Sequence, residues 1–88
     1  MEKENLVIIN RLGLHARAAA QLVKAANCFE SNIMIEKDGS AVDGKSIMSI
    51  LMLAAQKGSV ISVSADGRDE KEALAAIKDL VGNGFGED

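Results

Sequence analysis

The chain has 88 residues, and a domain of this size buries only about 60–65% of the surface that its unfolded chain exposes. Apolar residues make up 48% of the sequence, but only Phe29 and Phe85 are aromatic, and the net charge is −3. This composition predicts one small globular domain, residues 1–88. It argues against nucleic-acid binding, which needs aromatic platforms and a basic groove.

The sequence lacks a membrane-spanning segment, a pair of cysteines and a set of metal ligands, and these absences bear on its compartment and cofactors. The apolar stretch at residues 6–9 is too short for a signal-peptide core or a membrane span, so we expect a cytoplasmic protein with no membrane insertion. Cys28 is the only cysteine and cannot form an internal disulfide. One histidine and one cysteine without ligand spacing predict no metal site, and no cofactor is expected.

The first half of the chain is predicted to form a strand, a helix and a hairpin. Residues 6–9 are apolar and mostly β-branched, which favours a strand. From residue 16 to about 29, apolar residues recur at three- and four-residue spacing, which predicts an amphipathic helix. Asp38-Gly39 then joins strands at residues 33–37 and 40–43, because this pair favours the mirror-image turn of a tight hairpin.

A second helix is predicted from residue 47 to about 56, with Ser46 as its N-cap and Gly58 just past its end. It is apolar nearly all round. The core-facing positions are Ile47, Ile50, Leu51 and Ala54, and the positions left over are Met48, Met52 and Ala55. Surplus apolar area that contains methionine suggests a docking surface, although burial of both faces fits the pattern equally well.

The last part of the chain is predicted to form a strand, a helix and a tail. Residues 59–65 alternate between apolar and polar side chains, as a half-buried strand does. Asp69 and Glu72 have the spacing of a capping box, and the helix that they begin should stop at Gly82. Residues 83–88 are expected to be a loose tail.

The element order is therefore β-α-β-β-α-β-α, an α+β arrangement. Short connections and right-handed crossovers favour one four-stranded antiparallel sheet with the helices on a single face. The crossover between the first two strands leaves a slot that the fourth strand can fill. A ferredoxin-like strand order is the topological alternative that the pattern leaves open.

His15, the only histidine, stands at the predicted start of the first helix. The first N–H groups of a helix lack intrahelical partners and carry partial positive charge, which stabilises an anion. Histidine is a poor N-cap and is disfavoured there when protonated, so the position suggests a neutral, nucleophilic imidazole that accepts a phosphoryl group. Arg17 in the first turn could clamp the phosphoryl oxygens, or could be an ordinary surface arginine.

Residues 39–46 match the phosphate-loop pattern G-x-x-x-x-G-K-[ST], but we do not predict a nucleotide site. Gly39 is already explained by the hairpin turn, and the chain after Ser46 is too short for the parallel sheet and magnesium-binding aspartate of a nucleotide hydrolase. Ser46 could cap the helix or accept a regulatory phosphate; from the pattern alone, capping is favoured.

Over its whole length the chain resembles the HPr family of phosphocarriers of the bacterial phosphoenolpyruvate-dependent phosphotransferase system. The specific matches are GLHAR at residues 13–17 and KSIM at residues 45–48. The resemblance implies an open-faced β-sandwich with sheet order 1-4-2-3. It also implies that His15 takes a phosphoryl group on Nδ1 from phosphorylated Enzyme I and passes it to a IIA domain, with Arg17 and the backbone N–H of Ala16 at the phosphoryl group.

On this reading the protein is a carrier more than an enzyme, and we assume that it is a monomer, because the sequence gives no oligomeric evidence. Ser46 matches the target of an ATP-dependent HPr kinase/phosphorylase. The family's partner surface lies on the first two helices and matches Ala16, Arg17, Ala20, Lys24, Ile47, Met48, Leu51 and Met52.

One departure from the family pattern and one feature of the tail stand out. The family usually has proline after the arginine, whereas this chain has Ala18, from which we expect at most a slightly looser first turn. The tail at residues 82–88 is similar to that of the nitrogen-related branch, so a regulatory phosphocarrier is one alternative. A small interaction module without phosphate chemistry is the other.

Overall fold

The computed structural model describes residues 1–87, which form four strands, three α-helices and one short 3₁₀ turn. In chain order the elements are β1 (Glu2–Val7), α1 (Ala16–Ala26), β2 (Asn32–Lys37), β3 (Ser40–Asp43), α2 (Ile47–Met52), β4 (Val60–Asp66), α3 (Glu70–Gly82) and the 3₁₀ turn (Gly84–Gly86). The predicted order of elements is confirmed. None of these helices has the length and apolarity needed to cross a bilayer.

The four strands form one antiparallel sheet in the order β1-β4-β2-β3. β4 fills the slot between β1 and β2, with Leu6 opposite Ile61 on one side and Ile35 opposite Val63 on the other. β1 therefore lies at an edge of the sheet. This order confirms the predicted open-faced β-sandwich and rules out the ferredoxin-like alternative.

The core lies between one face of the sheet and the three helices. In β4 the predicted alternation is confirmed, because Ile61, Val63 and Ala65 are fully buried and the serines between them are partly exposed. The helices contribute fully or almost fully buried side chains to the same cluster: Ala18, Ala19, Leu22, Ala26, Ile50, Ala73, Ile77 and Val81. The sheet thus holds α1 and α2 side by side on its helical face.

The hairpin prediction is also confirmed, and with it the argument against a phosphate loop. Asp38 and Gly39 have φ values of 51° and 86°, the two positive angles that a mirror-image turn requires. β3 runs directly on from this turn and pairs with β2, from Ser40 opposite Lys37 to Asp43 opposite Met34. Residues 40–43 are therefore extended backbone in a sheet rather than a loop wrapped around a phosphate.

Three predicted boundaries were wrong. β1 begins at Glu2 because backbone pairing with β4 continues where the apolar pattern does not. α1 ends at Ala26 rather than near residue 29. α2 ends at Met52, four residues before the predicted end, because Ala54 takes a positive φ of 51° and turns the chain. That turn buries Ala55 and exposes Ala54, the reverse of the prediction for these two alanines.

The predicted capping box at the start of α3 was also wrong. The Asp69 side chain makes no bond within the helix. Instead it accepts hydrogen bonds from the backbone N–H groups of Glu30 and Ser31, at 2.9 and 3.0 Å, and from the Ser31 hydroxyl. Ser31 is buried, so its polar groups need these partners. Asp69 thereby ties α3 to the loop before β2.

Candidate functional site

The loop that carries His15 is fixed on three sides. Asn10, which is 1% exposed, donates through Nδ2 to the carbonyl oxygen of Gly13 at 2.7 Å. Gly13 has a φ of +67°, and a Cβ at this position would lie 2.4 Å from the carbonyl oxygen of Ala55. The buried Leu14 donates its backbone N–H to that same oxygen at 2.8 Å. The loop therefore enters α1 in one geometry, resting on the turn after α2.

His15 is the N-cap residue of α1 and has extended backbone, with φ −75° and ψ 179°. Its side chain makes no capping bond to the helix. The first backbone N–H of α1 with an intrahelical acceptor belongs to Ala19, which donates to the carbonyl oxygen of His15 at 2.8 Å. Ala16 and Arg17, in the exposed first turn, thus present N–H groups without intrahelical partners at the positive end of the helix dipole.

The imidazole of His15 contacts a carboxylate that the sequence did not point to. Nε2 of His15 lies 2.7 Å from Oε1 of Glu87, and Asn10 Nδ2 donates to the same oxygen at 2.9 Å. The second carboxylate oxygen, Oε2, lies 3.4 Å from Nε of Arg17. The Glu87 side chain is 15% exposed, against 26% for His15 and 70% for Arg17. Glu87 is therefore the partly buried centre of a polar cluster.

The donors in this cluster follow from its acceptors. An ionised carboxylate and a backbone carbonyl can only accept hydrogen bonds, so the two contacts of Asn10 must both come from its amide nitrogen. The hydrogen bond from Asn10, then the one from His15 and the charge of Arg17, hold the pKa of Glu87 below its usual value, although partial burial acts in the opposite direction. Glu87 is then an anion at neutral pH, and Nε2 of His15 must be the protonated nitrogen.

Residues 83–87 pack against the domain, so the prediction of a loose tail was wrong over these residues; residue 88 lies outside the described residues. Phe85 is 2% exposed and packs in the core. Gln21 of α1 donates through Nε2 to its carbonyl oxygen at 3.1 Å. Burial of an aromatic ring outweighs the backbone freedom that a Gly-rich tail loses.

Ser46 begins α2 as predicted, and its hydroxyl accepts the backbone N–H of Ser49 at 3.4 Å. Of the predicted partner surface, Met48 and Met52 are 66% and 81% exposed, and Ile47 is 38% exposed. Ala16, Arg17, Ala20 and Lys24 of α1 are exposed too, whereas Leu51 is half-buried and packs against the core. α1 and α2 pack against each other. The two exposed methionines are thus surplus to the core.

The His15 side chain is partly exposed at the surface, at 26%. Of the two grooves described in residues 1–87, one lies between β1 and α3 and the other between α1 and α3, and neither is lined by His15. Within the same residues no group of three His, Cys, Asp or Glu side chains could hold a metal ion. A partly exposed imidazole of this kind can be reached by the surface of another protein.

Sequence reasoning placed His15, Ala16 and Arg17 at one helix end, and the structure brings them together there. It missed Asn10 and Glu87, which come from a loop and a tail on opposite sides of residue 15 in the chain. One signal was available. Phe85 is one of only two aromatic residues, and an aromatic side chain in a short polar tail indicates docking onto the domain.

Comparison with known proteins shows the family and the fold of the chain. The family model described as "PTS HPr component phosphorylation site" matches residues 2–83. The phosphocarrier protein HPr of Neisseria meningitidis serogroup A is 49% identical over 87 residues, which are 99% of this chain and 98% of the relative. The crystal structure of HPr-C-His from Thermoanaerobacter tengcongensis has a TM-score of 0.97 at 45% identity, covering 100% of this chain and 99% of that one. An HPr dimer structure from the same organism has a TM-score of 0.80 at 46% identity, covering 99% and 100%.

Proposed function

The chain belongs to the HPr family of phosphocarrier proteins of the phosphotransferase system, and we propose that it carries the phosphoryl group on His15. In this proposal phosphorylated Enzyme I is the donor and a IIA component is the acceptor, and the exchange takes place in the cytoplasm. The protein is a carrier rather than a catalyst, because its phosphohistidine is an intermediate between two other proteins.

The proposed acceptor atom is Nδ1, because Nε2 already holds a proton against Glu87. Its lone pair attacks the phosphorus atom while the bond from phosphorus to the donor breaks, and that bonding pair leaves with the donor. The phosphoryl oxygens then lie at the start of α1, where the N–H groups of Ala16 and Arg17 can donate to them. The Arg17 guanidinium is exposed and long enough to turn from Glu87 to the same oxygens.

We further propose that both partners dock on the exposed residues of α1 and α2. The set comprises Ala16, Arg17, Ala20, Lys24, Ile47, Met48, Leu51 and Met52. Apolar side chains with flexible thioethers suit a surface that must accept a donor and an acceptor in turn. Phosphorylation of Ser46 by an HPr kinase/phosphorylase would add about two negative charges beside this surface and so weaken docking.

A single observation carries the proposal: in a chain of the HPr family, the only histidine stands at a helix start that no side chain of residues 1–87 caps. The test is the intact mass of the protein after incubation with phosphoenolpyruvate and Enzyme I of the same organism. We expect an acid-labile gain of one phosphoryl group in the wild type and none in His15→Ala. No gain in the wild type with an active donor, or an equal gain in the variant, would refute the proposal.

A further inference from the structure

Glu87 lies outside the part of the chain that the family model matches, which ends at residue 83. It is nevertheless the residue that holds the His15 ring, through the 2.7 Å contact between Oε1 and Nε2. We propose that Glu87 is a positioning residue for phosphoryl transfer, which fixes the proton on Nε2 and stabilises the positive charge that the imidazole gains. This inference rests on the proposed role of His15.

The conformation of the tail places the Glu87 carboxylate beside His15. Gly84, Phe85 and Gly86 have φ values of 60°, 57° and 71°. Three successive left-handed residues turn the chain back after α3, and the middle one is a phenylalanine, for which this conformation costs about 1 kcal/mol or more. The buried ring of Phe85 and the hydrogen bond from Gln21 hold that conformation. Glu87 follows two residues after this anchor.

Asn10 fixes the carboxylate from the other side. Its amide nitrogen bridges Glu87 Oε1 and the carbonyl oxygen of Gly13, two residues before His15. The backbone of the histidine loop and the partner of the histidine ring are thus held by one buried side chain. A histidine whose second nitrogen donates to a fixed acceptor has a fixed tautomer and ring orientation.

The charge balance of the transfer gives Glu87 its role. When Nδ1 forms its bond to phosphorus, the ring keeps the Nε2 proton and becomes a phosphoimidazolium cation. An anion already hydrogen-bonded to Nε2–H stabilises this cation, as the buried aspartate of a serine protease does for its histidine. When the phosphoryl group leaves for the acceptor, the bonding pair returns to Nδ1 and the Nε2 proton has not moved.

The test is Glu87→Gln, with Glu72→Gln on the exposed surface of α3 as the matched control. Each variant removes one negative charge, but only the first touches His15. With Enzyme I in steady state, we expect Glu87→Gln to lower kcat for phosphorylation about tenfold at an unchanged KM, because Glu87 is not in the docking set. Glu72→Gln should match the wild type.

A proton NMR spectrum supplies a readout local to His15, and the dispersed backbone amide signals of the same sample show whether the variant is still folded. In wild-type protein labelled with ¹⁵N-histidine, the proton should sit on Nε2 and be protected from exchange with water, and Glu87→Gln should lose that protection. An equal kcat in Glu87→Gln, or a wild-type proton on Nδ1, overturns the inference while wild-type phosphorylation still stands. A wild type that takes up no phosphoryl group would instead refute the proposed function.

Discussion

The starts of α1 and α2 both have an extended N-cap residue but differ in where its side chain points. His15 and Ser46 are both N-cap residues in extended conformation. Ser46 turns its hydroxyl to the helix and accepts the N–H of Ser49, whereas His15 turns its ring away to Glu87. A capping side chain occupies the site that an anion would use, so the uncapped start is the one available to a ligand. The two helix starts thus differ in whether the N-cap side chain bonds to its own helix, and the uncapped one is where we propose that the phosphoryl group binds.

The largest effect on this difference should come from a substitution that distorts the loop holding His15 in place. Gly13→Ala should lower the free energy of unfolding by about 2–4 kcal/mol, because the residue needs positive φ and its Cβ would meet the carbonyl oxygen of Ala55. Urea denaturation measures the change. Gly58→Ala is the matched control, since Gly58 has a φ of +91° with nothing within 4 Å of its Cβ position, and should cost about 1 kcal/mol. Equal costs would show that the contact with Ala55 does not hold the loop.

A second variant tests whether the exposed face of α2 binds Enzyme I, without changing the N-cap of the helix. Met48→Glu should weaken binding to Enzyme I about tenfold, or about 1.4 kcal/mol, because it places a charge in the apolar docking surface. Stability should change by less than about 0.5 kcal/mol, since the side chain is 66% exposed. Calorimetric titration gives the affinity. Met34→Glu, on the helix-free face of the sheet, should bind normally; unchanged binding by Met48→Glu would show that this face of α2 does not contact Enzyme I.

The smallest effect should come from the cap itself. Ser46→Ala should lower the free energy of unfolding by about 0.5 kcal/mol, the low end for an N-cap, because the bond to Ser49 is long at 3.4 Å. Ser46→Asp should keep the cap and the stability but reduce binding to Enzyme I through its charge. Chemical denaturation of both variants measures their stability, and calorimetric titration measures binding of Ser46→Asp to Enzyme I. A loss above about 2 kcal/mol in Ser46→Ala would mean that the hydroxyl does more than cap the helix.

The sequence predicted what depends on local pattern. The hairpin at Asp38-Gly39 and the buried face of β4 both follow from short-range rules of spacing and turn geometry, whereas the pattern left open whether Met48 and Met52 are exposed or buried. It failed where long-range contacts decide the structure. Asp69 has capping-box spacing, yet its carboxylate bonds the distant Ser31 because a buried residue needed a partner.

The candidate site divides in the same way. His15 and its neighbours in the first turn are close in sequence, so the helix pattern alone places them together. Glu87 is 72 residues from His15, and only the packing of Phe85 brings its carboxylate to the ring. The end of α2 at Met52 was also mispredicted, because the apolar pattern gives no sign of the positive φ of Ala54 that ends the helix.

The central claim is that a phosphoryl group is accepted at Nδ1 of His15, at the uncapped start of α1. Since this is the only histidine, labelling the protein with ¹⁵N-histidine marks one imidazole. We would phosphorylate that protein with Enzyme I and record the coupling between phosphorus and nitrogen by NMR. The account predicts a one-bond coupling to Nδ1, with the proton still on Nε2. A phosphoryl group bonded to Nε2, in the place where Glu87 holds the proton, would contradict it.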